Sequence, residues 1–165
     1  MNKLGSTATT AIIQMLTGPA GINSGLASLT APDNQMVAPI DAGHIHAQNV
    51  AADVAERSTK TKYPSVYVYC EKVANTLAEK FRSFSGSLQM AIEVRYSQDR
   101  LDGLQNALEL YADSVTQVLD TGRGDWGQGL YYCGGYDVTV NAVKHGGKNF
   151  VQTAKITFRI EVSRN

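Results

Sequence analysis

Residues 122–127 invite a chemical interpretation first, because their letters, GRGDWG, match the pattern GxGxxG. This pattern cradles the pyrophosphate of a dinucleotide when it lies between a strand and the first turn of a helix. Here the order is reversed, since a helical pattern precedes the glycines and a strand pattern follows them. The helix N-terminus that would bind phosphate is then missing. We therefore interpret the run as a connecting loop and keep a small nucleotide-binding domain only as an alternative.

Three other groups have side chains capable of chemistry, and each has a simpler interpretation. His44 and His46 share one face of a predicted strand, a spacing that suits a metal, but no third ligand is near in the sequence. Asp99 and Asp102 fall in the first turn of a predicted helix, where carboxylates offset the macrodipole and cap free N–H groups. No GxSxG context for a serine nucleophile occurs in the sequence, and the serines of residues 85–87 are more simply interpreted as part of a turn. The sequence therefore predicts a non-enzymatic protein without catalytic residues, metal or cofactor.

The glycines between positions 122 and 135 indicate a mobile loop, and its side chains are typical of protein interfaces. The candidate interface residues are Arg123, Asp125, Trp126, Tyr131 and Tyr132. Tryptophan, tyrosine and arginine carry much of the binding energy where proteins meet. A docking loop is one interpretation, and the other is that Trp126 folds back to cap the end of the sheet. The sequence leaves both open.

Two lysines flank a second glycine turn, at residues 144–148. Lys144 and Lys148 would place two positive charges at the tip of a hairpin, with His145 in the turn itself. Together with Arg123, they could contact a nucleic-acid backbone or an acidic partner surface. The alternative is a solvated turn kept soluble by its lysines.

The bulk composition limits the class of protein. The chain has 165 residues, the size of one domain, and its fifteen basic residues balance fifteen acidic ones. This balance gives no general attraction to nucleic acid. Cys70 and Cys133 belong to no metal-ligand spacing, so we expect free, buried or half-buried thiols and a reducing cytoplasm. We expect neither an export signal nor association with a membrane.

Two short helices are predicted at the N-terminus. Residues 5–16 carry apolar side chains at helical spacing and stop at a Gly-Pro pair, and residues 20–29 form a second, weaker pattern. Residues 31–39 contain two prolines and predict a linker. We therefore predict a helical N-terminal extension with its linker over residues 1–39, and an α+β domain over residues 40–165.

Alternating apolar residues predict the first strands of this domain. They indicate strands at 44–49, 66–70 and 88–97, with a helical turn at 53–57 between the first two. Residues 73–84 are ambiguous, because Val73, Leu77, Phe81 and Phe84 recur at helical spacing. We predict an amphipathic helix there, ending at Gly86, with a strand as the alternative.

The clearest periodicity predicts a long helix over residues 99–121. Its apolar stripe consists of Leu101, Leu104, Leu108, Tyr111, Val115, Val118 and Leu119. Ser97 or Asp99 is the predicted N-cap, and Gly122 is predicted to follow the C-terminus. A hairpin of two amphipathic strands, 136–142 and 154–162, closes the chain with one face of each strand on the core. The expected fold is α+β, a twisted antiparallel sheet packed against one long helix.

This order of elements resembles the tail terminator, or tail-completion, proteins found at the neck between head and tail of bacteriophages. The resemblance spans roughly residues 40–165. The segments that carry it are residues 63–72 (YPSVYVYCEK), 93–101 (EVRYSQDRL), 123–127 (RGDWG) and the hairpin from Gly134-Gly135-Tyr136 to Val162. The family has no catalytic residues to transfer.

The resemblance implies a structural virion subunit that is assembled in the host cytoplasm. It implies a homo-oligomeric ring, usually a hexamer, that caps the tail tube and joins it to the head connector or stopper protein. Genomic DNA would pass through the lumen without specific binding, and Lys144 and Lys148 are candidates for contact with this DNA or with a partner. The alternative within the same particle is a head-completion or connector adaptor protein.

Overall fold

A computed structural model describes residues 3–33, 36–57, 61–146 and 148–165. The helices are α1 (Leu4–Thr17), α2 (Ile22–Thr30), α3 (Ala52–Arg57) and α4 (Leu104–Thr121). The strands are β1 (Ile45–His46), β2 (Ser65–Asn75), β3 (Phe84–Gln98), β4 (Gly124–Gly127), β5 (Leu130–Tyr132), β6 (Asp137–Val140), β7 (Lys144–Gly146) and β8 (Asn149–Arg164). The predicted α+β class is confirmed.

The strands join in one sheet, in the order β1-β2-β3-β8-β5-β4, and β6 and β7 also pair with β8. β1 runs parallel to β2, whereas the other recorded pairs are antiparallel. The sheet is therefore mixed, and the prediction of a purely antiparallel sheet was wrong in this respect. A short parallel pair leaves too weak a pattern in the sequence to be recognised.

The centre of the sheet is the long antiparallel pair of β3 and β8. Its register runs from Phe84 opposite Arg164 to Gln98 opposite Phe150. Alternate side chains of both strands are buried in one cluster, which includes Leu88, Met90, Ile92 and Val94 of β3 and Ala154, Ile156, Phe158, Ile160 and Val162 of β8. The two-residue period predicted this face of both strands, because side chains alternate along a pleated strand.

Helix α4 begins five residues later than predicted. Its N-cap is Gly103, in the left-handed region at φ 77°, while Ser97 still belongs to β3. Leu101 precedes the helix and is 59 % exposed, so it is not part of the buried stripe. The predicted caps Ser97 and Asp99 were wrong. β3 continues as far as Gln98, and the chain then makes a turn before the helix starts at Leu104.

Helices α1 and α2 share the core with α4 and the sheet. Leu4, Ile12, Leu16, Ile22 and Leu26 belong to the same buried cluster as the β3 and β8 residues. Polar contacts fix the chain after α2: Asn23 exchanges two side-chain hydrogen bonds with the backbone of Ile40, at 2.8 and 2.9 Å. The Tyr111 hydroxyl donates to the Ala38 carbonyl at 2.7 Å. Residues 34 and 35 of the predicted linker lie outside the described residues.

The predicted helix over residues 73–84 was wrong. β2 extends to Asn75, a loop spans residues 76–83, and β3 begins at Phe84. Val73 pairs with Leu88 across the two strands. Four apolar residues at helical spacing did not produce a helix here. Their local helical propensity is weaker than the ladder of backbone hydrogen bonds that forms when β2 pairs with β3.

The inward face predicted for residues 136–142 was also wrong. β6 pairs with β8 as expected, yet Val138 and Val140 are exposed. The alternating pattern identified the strand, but it could not show that β6 lies at the margin of the sheet.

Among the described residues, no helix is long and apolar enough to cross a membrane.

Candidate functional site

The glycine-rich stretch forms a β-hairpin instead of the predicted mobile loop. β4 and β5 pair with each other, and β5 continues the sheet by pairing with β8. Gly127, Gln128 and Gly129 make the turn, all with positive φ, at 80°, 54° and 77°. The stretch follows the C-terminus of α4 and continues into β4. This geometry lacks the helix N-terminus that a phosphate cradle requires, as the order of patterns predicted.

The five candidate interface residues fall into two groups. Tyr132 is fully buried, with its ring centroid 5.4 Å from that of Phe158, so it is part of the core. Trp126 is half-buried, 5.6 Å from Tyr132 between ring centroids, and its Nε1 donates to the Gly122 carbonyl at 2.6 Å. Of the two interpretations of Trp126, the geometry matches the one in which the ring folds back.

The remaining three candidates, Arg123, Asp125 and Tyr131, are exposed. Arg123 lies 3.5 Å from the Asp120 carboxylate, and Asp125 accepts a hydrogen bond from the Gly127 amide at 2.7 Å. Tyr131 lies beside Glu161 of β8. The face of the hairpin that carries Asp125 and Tyr131 is therefore open to a partner, while Leu130 and Tyr132 anchor the hairpin in the core.

Gly129→Ala should destabilise the protein by roughly 2 kcal/mol or more, because a β-carbon strains a positive φ and here also meets backbone. The added atom would lie 2.1 Å from the Ser163 carbonyl oxygen. Chemical denaturation followed by tryptophan fluorescence measures the change. Gly43→Ala is the matched control, since its nearest neighbour would be Asp41 Oδ1 at 3.5 Å. Equal stability of the two variants would contradict the hairpin geometry.

The two candidate lysines lie on either side of the last turn. Lys144 begins β7 and is exposed, and Lys148 is exposed just before β8. Residue 147 of the predicted turn lies outside the described residues. β7 pairs with the first residues of β8, so this turn lies at the end of the sheet opposite the β4–β5 turn.

The predicted histidine pair does not share a strand face. His44 ends a short 3₁₀ turn, whereas His46 belongs to β1, with its ring centroid 5.0 Å from that of Tyr67. Burial, followed by the charges of His44 and Arg95, lowers the pKa of His46. Within the described ranges, no group of three or more His, Cys, Asp or Glu side chains is placed to hold a metal ion. Cys70 is half-buried and Cys133 exposed, and both are free thiols.

Two features were missed in the sequence, and the first is the display loop, residues 76–83. Phe81 at its tip is 99 % exposed, and Leu77 is also exposed. Both residues have positive φ, at 65° and 50°. A bulky residue in this region of backbone space is strained, and such strain persists only when the surrounding structure holds it.

Hydrogen bonds at the base of the display loop provide that support. Asn75 Oδ1 accepts from the Ser85 amide at 3.0 Å, and Ser85 Oγ accepts from the Glu79 amide at 3.1 Å. Ser163 Oγ donates to the Glu79 carboxylate at 2.9 Å, and this hydrogen bond links the loop to the C-terminal end of β8. The loop is therefore a pre-ordered support for an apolar tip.

The second missed feature is a cleft of about 370 Å³ on the sheet face turned away from the core cluster. Its floor includes Glu93 and Arg95 of β3 and Thr153 of β8. One wall comes from residues around the start of α3, and the other from Asn141 and Ala142 after β6 and from Lys144 and His145 of β7. Three segments that are distant in sequence thus meet around one arginine.

Arg95 is only 2 % exposed and lies in a polar network. Its Nη2 donates to Glu93 Oε2 at 2.6 Å and to the Val50 carbonyl, and its Cζ lies 4.1 Å from the centre of the Tyr67 ring. The Tyr69 hydroxyl donates to Glu93 Oε1 at 2.7 Å. Burial, together with this carboxylate, raises the pKa of Tyr69. The network holds the guanidinium in one orientation.

The sequence carried only partial signals for these two features. Alternation along β3 indicates only that Arg95 lies on the face opposite the core residues, and its burial depends on residues 49–56 folding over that face. Phe81 matched an apolar stripe and was assigned to a helix, so its exposure was unexpected. The sequence matches no protein-family model and no curated protein.

Proposed function

We propose that this chain is a structural subunit of a bacteriophage neck, a tail terminator that forms a ring, caps the tail tube and joins it to the head connector. Its partners would be further copies of itself in a ring, for which a hexamer is the expected size. The tail tube protein and the head connector or stopper protein would be its other partners. It would act by shape and contact and not as an enzyme. The observation that carries this proposal is the pre-ordered display loop with Phe81 at its tip.

An exposed aromatic side chain on a rigid support favours binding to another protein. A fully exposed Phe81 gains nothing from the fold of its own chain, while its backbone strain costs stability. Aromatic anchors dominate the energy of many interfaces, and ordering the loop beforehand reduces the entropy lost on binding. The backbone strain costs stability in the free subunit, and covering the loop with a partner on assembly would offset that cost.

The two ends of the sheet differ, and this supports a head-to-tail contact. The display loop and the β4–β5 turn lie at the C-terminal end of β8, where the Arg164 Nε donates to the Gln128 carbonyl at 2.6 Å. Lys144 and the turn before β8 lie at the other end. A contact between unlike surfaces generates a closed ring when the rotation between neighbours closes. Unlike ends also suit a subunit placed between two different neighbours.

The proposal is tested by measuring the mass of the purified chain by light scattering over a wide range of concentrations. Electron microscopy of tail tubes mixed with the chain would complete the test. We expect a ring in solution or on the end of the tube, and tubes that stop growing. A species that is monomeric throughout and leaves the tubes uncapped would contradict the proposal. A ring that binds the head connector but not the tube would identify a head-completion protein instead.

A further inference from the structure

Arg95 has two guanidinium nitrogens without a hydrogen-bond partner among the described residues. They are Nε and Nη1, and both are buried. The third nitrogen, Nη2, already serves Glu93 and Val50. Buried polar groups in native proteins nearly always have a partner, so an orphaned pair on a residue that lines a cleft indicates where an acceptor from a ligand would bind. Hydrogen bonds formed there are strong because the local dielectric is low.

The charges around the cleft restrict that ligand. Arg95 and Lys144 are cationic, Asp53, Glu56 and Glu93 are anionic, and the His145 ring also lines the cleft, so the three carboxylates outnumber the two permanent cations. A doubly charged anion such as phosphate would be repelled by this surplus. A single carboxylate would meet Arg95 with less repulsion, and a positive charge on the same ligand would offset the rest.

The acidic wall offers a place for such a positive charge. Glu56 accepts a hydrogen bond from the Tyr63 hydroxyl at 3.1 Å. The Asp53 carboxylate is exposed, makes no side-chain hydrogen bond or ion pair within the described part of the chain, and lines the same cleft. Arg95 therefore offers hydrogen-bond donors to a ligand carboxylate, and Asp53 on the wall offers a carboxylate to a positively charged group of the same ligand. The volume of about 370 Å³ is sufficient for a small molecule.

From this arrangement we propose that the cleft binds a small zwitterion of the free amino-acid type. Its carboxylate accepts hydrogen bonds from Arg95, with Lys144 nearby, and its ammonium group lies against Asp53. This site is independent of the display loop, which lies at the other end of the sheet, and it does not depend on ring assembly.

The direct test is a titration of the ¹⁵N-arginine-labelled protein with glycine, acetate and inorganic phosphate as separate probes. The Nε–H resonance of Arg95, assigned by its loss in Arg95→Lys, reports the acceptor, and calorimetry measures affinity without any assignment. We expect a saturable response to glycine, a weaker one to acetate and the weakest to phosphate. No saturable response to glycine by either method, or a preference for phosphate, would overturn the proposal.

Variants of the two walls make the test sharper. Lys144→Gln should weaken glycine binding about threefold, the size of effect typical of one exposed charge. Lys148→Gln, which removes the same charge from a residue that does not line the cleft, is the matched control. Asp53→Asn should have opposite effects on two probes, weakening glycine and strengthening acetate, because it removes a partner from one and a repulsive charge from the other. An equal change for both probes would contradict the proposed orientation.

Discussion

Leu108→Asp should abolish the folded state. Leu108 is fully buried in the second turn of α4, within the cluster that joins the helices to β3 and β8. A carboxylate placed there would either stay charged without a partner or take up a proton at a cost in free energy. We expect a loss of more than about 4 kcal/mol, a large part of the total stability of an average domain. Circular dichroism and thermal melting measure it.

Leu101→Asp is the matched control for this substitution. The sequence places both leucines in one apolar stripe, but Leu101 precedes α4 and is 59 % exposed. A change at this exposed position should alter the free energy of unfolding by no more than about 0.5 kcal/mol. Normal melting of Leu108→Asp, or unfolding of Leu101→Asp, would show that the buried face of α4 is assigned incorrectly.

Phe81→Gly should separate assembly from stability. Glycine adopts the φ of 65° at this position without strain and removes an aromatic ring that contacts solvent. We expect the isolated subunit to keep its stability or to gain up to about 1 kcal/mol. Assembly with further copies or with the tail tube should weaken by roughly 30-fold or more, the effect of losing an interface hot spot. Light scattering and chemical denaturation of the same sample measure both quantities.

Met36→Ser controls for the loss of any exposed apolar side chain. Met36 is as exposed as Phe81 but lies in the segment before β1, far along the chain from the display loop. This variant should assemble as the unchanged protein does. If Phe81→Gly still forms rings while Met36→Ser does not, the display loop is not the contact surface, although the proposed ring itself would stand.

Local patterns were sufficient where each element has one face in the core and one in solvent. The alternation in β3 and β8 and the three-and-four spacing in α4 identified these elements, because burial of one face imposes its period on the sequence. The ends of the elements were less accurate. Leu101 continued the period of α4 although the chain still turns there, since a period shows which residues share a face but not where the helix begins.

Residues 73–84 show why a period alone was insufficient. Val73, Leu77, Phe81 and Phe84 fit a helix, yet they are divided between β2, the display loop and β3. The free energy that decides between the two structures comes from pairing with distant residues, such as Val73 with Leu88. The candidate sites follow the same rule, because the sequence made Tyr132 a candidate interface residue, whereas its contact with Phe158 places it in the core.

The amino-acid sequence by itself determined the α+β class, the faces of the long strands and the buried stripe of α4, because these depend on neighbours only a few residues away. The tertiary structure alone decided that Phe81 is presented to solvent and that Arg95 is enclosed at the floor of a cleft. Each of these depends on segments far apart in the chain, the end of β8 for Phe81 and residues 49–56 for Arg95. No local pattern contains that information, since it arises only when the sheet brings those segments together.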